Sequence, residues 1–339
     1  MPGKTEVIQY NSAEDLFKVF RTFNVLIIGD VMIDSYLWGK VERISPEAPV
    51  PILQVEKREI RPGGAANVAL NIKSLGATPL LCGLVGEDTD GTNFLNILTE
   101  NQLPIEGIVK SKDRVTTIKH RIISSAHHML RVDQETDRIT NASELNLLKE
   151  RIDTLLPKAQ VVIFEDYDKG VLTEELIAYV TEKANSLGIP TVVDPKKRNF
   201  LYYKNCSLFK PNRKELKEGL KTDVNLNDAK ELEQTVDQLM NILNCESVLI
   251  TLSEKGVYWS NKKDHLHIPA HHREIADVSG AGDTVISVAA LCAAAKTKPE
   301  ILSALSNLSG GLVCEQVGVV PIESKLLQHE AEKLGILNH

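Results

Sequence analysis

The chain has 339 residues, of which 42% are hydrophobic and 25% charged, with 20 glycines and 14 prolines, enough apolar material to bury a real core. A net charge of −7 excludes an overall basic footprint for nucleic acid but leaves room for a local basic pocket. The N-terminal MPGKTEVIQYNSAEDLF lacks the apolar stretch of a secretion leader, no apolar run approaches a membrane span, and five scattered cysteines form no CxxC pair, so a cytoplasmic protein with reduced thiols is expected.

In chain order, SAEDLFKVFRTF predicts a first helix, with Ser12 as its cap and Asp15 three residues on. NVLIIGD follows as a short β-branched run ending in polar residues, the pattern of a buried parallel strand. PLLCGLVG, QVVIFED, PTVVDP, CSLFKP and SVLITLS repeat that form. Between them NVALNIKSLG, FLNILTEN, ELNLLKERIDTLL, EELIAYVTEKANSLG and DAKELEQTVDQLMNIL read as helices, several closed by glycine. The alternation predicts an α/β fold, a doubly wound and mostly parallel sheet flanked by helices, with ligands at the carboxyl ends of its strands. Two stretches, about 36–60 and 114–135, alternate polar with β-branched residues instead. They predict a small antiparallel sheet serving as a lid on one 339-residue domain.

Three motifs carry chemistry. DVSGAGDT (277–284) puts Gly280, Ala281 and Gly282 before an apolar helix, where backbone N–H groups and the helix dipole can bind an anion beside Asp283. Alone, the octapeptide fits equally well a helix start in which Asp283 merely complements the dipole. It is not a dinucleotide fingerprint, since Val285 stands where a third glycine belongs, and no Walker A loop occurs in the chain. RPGGAANVA offers Gly63 and Gly64 for close approach and Asn67 for hydroxyls, although Gly-Gly before an alanine-rich helix is more often tight packing. The paired histidines 127–128 and 271–272 have no third ligand at metal-binding spacing and read as solvated or strand-face residues.

Taken together and in this order, GGxxxN and DxxGAGD resemble the ribokinase-like (PfkB) carbohydrate kinases over roughly residues 24–320. The resemblance implies a ribokinase-like fold, ATP and Mg²⁺ as cofactors, and Asp283 as the base beside an anion hole of Gly280, Ala281 and Gly282. It implies Asp34, Gly63, Gly64 and Asn67 around the sugar, and Lys196 of DPK near the acceptor or phosphates. Asn212 and Glu215 of KPNRKE, with Lys210, fall at the magnesium and phosphate motif. Thr251, Ser253 and Gly256 of TLSEKG, with Asn307, fall at the nucleotide, although Ser253 replaces a commoner glycine. Asp277 and Ser279 lie where relatives bind a monovalent cation such as K⁺. RISPEAPVP (43–51), EDYDKG (165–170) and DPK resemble the branch that phosphorylates O1 of D-glycero-D-manno-heptose 7-phosphate in ADP-heptose and lipopolysaccharide synthesis. That acceptor's phosphate needs cations, for which Arg43, Lys119, Arg121, Arg131 and Lys196 are candidates, each lid cation being individually as well explained by a solvated face. No HxGH-type motif occurs, so a separate adenylyltransferase is expected as the pathway partner. A homodimer through the lid strands is expected as well, because exposed sheet edges invite pairing. The alternatives left open are a kinase of ribose, fructose or a nucleoside, and a non-catalytic sugar sensor of the same fold.

Overall fold

A computed structural model describes residues 7–124 and 127–337. Residues 1–6, within the stretch read above for a leader, and 125–126, within the second insertion, lie outside the described residues. The strands are β1 (Asn24–Gly29), β2 (Val31–Ile44), β3 (Pro51–Gly64), β4 (Thr78–Gly86), β5 (Gly107–Ser111), β6 (Ile118–Ser124), β7 (His127–Gln134), β8 (Val161–Glu165), β9 (Thr191–Asp194), β10 (Leu208–Phe209), β11 (Ser247–Thr251), β12 (Val257–Ser260) and β13 (His265–Ile268). The helices are α1 (Ala13–Phe20), α2 (Ala65–Ser74), α3 (Thr89–Glu100), α4 (Ala142–Leu155), α5 (Glu174–Ser186), α6 (Arg213–Leu220), α7 (Ala229–Leu243), α8 (Ala281–Ala294), α9 (Pro299–Val313) and α10 (Ser324–Lys333).

Nine strands form the large sheet in the order β13-β12-β11-β10-β9-β8-β1-β4-β5. β12 alone runs against the others, pairing antiparallel with both β11 and β13, and all other pairings are parallel. β1 and β8 are buried along nearly their whole length because helices cover both faces, which is why they read as unbroken apolar runs. One core layer packs α1, α2, α8 and α9 against Val25, Ile27 and Ile163; the other packs α4, α5 and α7 against Leu26, Ile28 and Phe164. Successive residues of β1 thus feed opposite cores, as the two-residue period requires. Ser12 caps α1 by accepting from the N–H of Asp15 at 3.1 Å, as its sequence predicts. No helix among the described residues is long and apolar enough to cross a membrane.

The second sheet has the order β3-β2-β6-β7. β2–β3 and β6–β7 are antiparallel hairpins, but the central pair β2–β6 is parallel, because the chain returns to this sheet only after passing through α2, β4, α3 and β5. Its first hairpin is longer at both ends than the expected 36–60: β2 starts at Val31, directly after β1, and β3 runs to Gly64 at the mouth of α2. The hairpins of the small sheet therefore grow out of the carboxyl edge of the large one, and that edge holds the candidate site.

Candidate active site

Parallel strands end together at this edge. Glu165 closes β8 and pairs in register with Asp194, which closes β9, and Lys210 follows β10. All three are buried. Lys210 Nζ meets Asp194 Oδ2 at 2.7 Å, so the two charges largely satisfy each other. Lys196 pairs with Glu215 and lies 5.5 Å from the ring centre of Tyr167. Burial opposes the charge on Lys196 and on Lys210, but Asp194 and Glu215 outweigh it and raise both ammonium groups above their ordinary value. Glu165 is different. Burial, then the charges of Asp194 and Asp283, push it well above the usual carboxylate range, and its Oε2 is buried without a hydrogen-bond partner.

Asp283 lies in the first turn of α8. Gly280 caps that helix with φ +79°, a conformation that glycine adopts at no steric cost, and Ala281 N–H turns back to Val278 O at 3.3 Å. The Thr284 N–H is the first to reach a carbonyl four residues back, Gly280 O at 3.1 Å, so the N–H groups of Gly282 and Asp283 are the first-turn donors an anion would meet. A side chain at Gly282 would stand 3.6 Å from Asp194 Oδ2 and 3.7 Å from Lys210 Nζ, which puts the anion turn directly over that ion pair. Asp283 itself is buried: Asn67 Nδ2 donates to Oδ2 at 2.6 Å and the Tyr167 hydroxyl to Oδ1 at 2.8 Å. Burial raises its carboxyl and the two donors pull it back, leaving it at about 6. That is an acid ionised at neutral pH yet able to take a proton.

The other expected site residues fall into three groups. Asp34 is buried on β2 and paired with Arg121 of β6, and any side chain at Gly63 would collide with its carboxylate. Gly64, with φ +59°, approaches Asp30 O and opens α2, which carries Asn67 to Asp283. Asn212 and Glu215 form a reciprocal cap on α6: Asn212 Oδ1 accepts from Glu215 N–H and Glu215 Oε2 accepts from Asn212 N–H, both at 2.9 Å. With Glu215 Oε1 also taken by Lys196, a magnesium ion fits here only by resting mostly on water and phosphate oxygens. Thr251, Ser253, Gly256 and Asn307 line the same cavity, of about 1170 Å³, with Glu215 and Gly280. Ser253 takes φ +55°, so the missing glycine leaves the turn intact. Asn307 donates to Pro269 O at 2.8 Å. Asp277 is lowered: burial raises it, but the N–H groups of Ser279 and Gly318, each at 2.9 Å, outweigh burial.

Arg131 is not brought to Asp283. It sits on β7, at the far edge of the small sheet, exposed and ion-paired with Asp133 at 3.0 Å. Arg61, which the sequence reading passed over, is better placed. With Arg121 it flanks Tyr36, at 5.2 and 5.3 Å from the ring centre, and its Nη1 donates to Val319 O at 2.6 Å. Three further residues went unassigned. Tyr167 and Glu165 lie in EDYDKG, and Asp30 ends NVLIIGD. Asp30 accepts the N–H groups of Tyr167, Lys169 and Val171 at 2.8, 3.1 and 3.1 Å, which fixes the loop that carries Tyr167. Only the pairing of β1 with β8 makes these neighbours. His271 and His272 are exposed, as expected of solvated histidines, and border the cavity.

The pfkB family carbohydrate kinase model matches residues 22–325. The bifunctional protein HldE of Magnetococcus marinus is 40% identical over 309 residues, covering 90% of this chain and 63% of that protein. The protein of the same name from Caulobacter vibrioides is 41% identical over 303 residues, covering 89% and 62%. The chain thus spans less than two thirds of the length of these relatives. Among solved structures, phosphofructokinase-2 from Escherichia coli in complex with potassium superposes with a TM-score of 0.76 at 18% identity, covering 93% of this chain and 99% of that one. Ribokinase from Arabidopsis thaliana, complexed with ribose and ATP, gives 0.70 at 15%, covering 94% and 99%. At such identities these likenesses establish the ribokinase-like fold.

Proposed function

The chain belongs to the pfkB family of carbohydrate kinases, and from that membership we propose that it transfers the γ-phosphoryl group of ATP to O1 of D-glycero-D-manno-heptose 7-phosphate. One observation carries the mechanism. Asp283 is a buried carboxylate at about 6, fixed by two donors at the head of α8, with Lys210 and Asp194 across Gly282. Asp283 takes the proton of the acceptor hydroxyl as the bond from O1 to the γ-phosphorus forms and the bond from that phosphorus to the ADP oxygen breaks. The N–H groups of the turn Gly280–Ala281–Gly282, that of Ala281 once freed from Val278 O, would with Lys196 and Lys210 hold the charge that gathers on the phosphoryl oxygens. Asn212 and Glu215 would hold magnesium through water. Bound there, the ion would neutralise phosphate charge. Asp277 and Ser279 are the candidates for a monovalent cation, and Thr251, Ser253, Gly256 and Asn307 for the nucleotide.

The heptose assignment rests on RISPEAPVP and EDYDKG, and on cations suited to an acceptor that already bears a phosphate. Arg61 and Arg121, both turned towards Tyr36 on the face of the small sheet that carries Asp34, are proposed for that role ahead of Arg131, which lies on the same face directly across from Arg121 but is exposed and paired with Asp133. Asp34 with Gly63 and Gly64 would fix the sugar hydroxyls, and the small sheet would act as a lid that keeps water from the phosphoryl group. Residues 1–339 are read as one kinase domain working in the cytoplasm. The nucleotidyl transfer that a sugar 1-phosphate product invites belongs to another domain or protein, and the lid sheet is proposed to pair two copies of the chain. The test is the NMR spectrum of the product formed from ATP and the heptose 7-phosphate, beside ribose, fructose and a nucleoside. A new phosphate coupled to the anomeric proton is expected. Preference for an unphosphorylated sugar would overturn the acceptor assignment, and no transfer to any sugar would overturn the kinase.

A further inference from the structure

Tyr167 has no part in the phosphoryl transfer described above, yet its surroundings are unusually well fixed. Its hydroxyl donates to Asp283 Oδ1 at 2.8 Å while Asn67 donates to Oδ2 at 2.6 Å, so the carboxylate is gripped from both sides. Two buried carboxylates are spent on the loop that carries it. Asp30 collects three of the loop's N–H groups, and Asp166 accepts from Tyr203 at 2.6 Å and Asn199 at 3.0 Å. Burying such carboxylates costs folding free energy even when they are well hydrogen-bonded. A loop that needed only to connect β8 to α5 would not require them. Lys196, over the face of the Tyr167 ring, closes the remaining side.

We propose that Tyr167 is the positioning residue of the phosphoryl-transfer base: with Asn67 it holds the Asp283 carboxylate in one orientation, each oxygen keeping a free lone-pair direction for the acceptor hydroxyl. The proposal rests on the reading of Asp283 as the base. The groups facing Asp283 are Asn67 from α2, Glu165 from β8, Tyr167 from the loop after it, Asp194 from β9 and Lys210 after β10. Burial, Asp194 and Glu165 favour the neutral acid; Asn67, Tyr167 and Lys210 favour the carboxylate. Removing the Tyr167 hydroxyl therefore makes Asp283 harder to ionise.

The experiment is the pH profile of kcat/KM for Tyr167→Phe beside the wild type, with nucleotide affinity measured separately. A hydrogen bond to a charged group is strong enough to move the acidic limb upward by about one pH unit. The loss should then be about tenfold at pH values below the wild-type midpoint and small well above it, with nucleotide affinity unchanged. A uniform loss with the limb unmoved would make Tyr167 a packing residue and overturn the proposal, as would an unchanged profile. Should the phenylalanine variant fail to fold, 3-fluorotyrosine placed at 167 alone keeps the packing and donates more strongly. It should move the limb downward, and an unmoved limb again overturns the proposal. Failure of the underlying reading looks different: Asp283→Asn would then keep more than about a tenth of wild-type turnover.

Discussion

Holding an ionised carboxylate at position 283 works against folding. The ordinary value of an aspartate is 3.8, and burial lifts Asp283 to about 6. Between those two pH values the folded chain binds more protons than the unfolded one, so stability falls as pH rises through this window and levels off above it. Asp283→Asn removes the term, and Asn67, whose Oδ1 is buried without a partner, can turn to accept from the new amide. The variant should be more stable than wild type at pH 7.5 by about 1–3 kcal/mol and gain nothing below pH 4, as read from urea unfolding. Equal stability at pH 7.5 would mean that Asp283 is not a strained group. The neighbouring glycines separate two further effects. Gly280→Ala forces a side chain into φ +79° and within 3.2 Å of Asn67 Nδ2, so it should lose about 1–2 kcal/mol of stability together with activity. Gly282→Ala meets nothing closer than 3.6 Å and has no positive φ. It should melt with wild type while its methyl displaces the phosphoryl group, with turnover down about 10²-fold. A melting temperature lowered in both variants alike would refute the distinction.

At the scale of elements, α6 shows what a motif conceals. NRKE reads as a magnesium and phosphate motif, but the same four residues are the first turn of a capped helix, and the cap occupies Asn212 Oδ1 and one oxygen of Glu215. Asn212→Ala should therefore cost about 1 kcal/mol in denaturant unfolding before any ligand is added, whereas Asn212→Asp, which preserves an acceptor for the Glu215 N–H, should stay within about 0.5 kcal/mol of wild type. Equal losses would show that the amide does more than cap. The strands that build the site were legible because each is a buried parallel run whose last residue is polar, as in IFED and VVDP. GAGD was legible because glycines before an apolar helix leave few alternatives. Tyr167 and Asp30 were not, since their meaning depends on contacts across 116 and 137 residues that arise only when β1, β8 and α8 meet. Arg61 was missed for a related reason. Composition does not single it out among the cations of the small sheet, and only the pairing of β3 with β2 and of β2 with β6 sets Arg61 and Arg121 on either side of Tyr36. The β12–β13 hairpin and helices α9 and α10 also escaped the sequence reading, the two strands because four residues are too few to show a period.

Over the whole molecule, the small sheet has two faces of opposite character. One carries Asp34, Tyr36, Arg61, Lys119 and Arg121, and Arg61 ties it to the segment around Val319. The adjacent Gly318 donates to Asp277, so this segment joins the small sheet to the turn that leads into Gly280. The other face holds two cross-strand rows, Ile60–Ser35–His120–Val132 and Arg58–Leu37–Ile122–Leu130. Ile60, Leu130 and Val132 are 54%, 57% and 47% exposed, a large fraction for apolar residues that share one sheet face. A second copy of the same face would cover them in a self-complementary contact, as a two-fold dimer requires. The proposed dimer is expected to sediment with twice the chain mass at micromolar concentration, and Leu130→Lys with Val132→Glu should shift it to monomer without lowering the folded fraction. Because Arg121 lies on the opposite face of the same strands, loss of the partner should also loosen the hold proposed for it on the acceptor phosphate, raising KM for the sugar more than KM for ATP. A wild-type chain that sediments as a monomer at tens of micromolar would refute the dimer, and a double variant that dimerises unchanged would move the interface off this sheet.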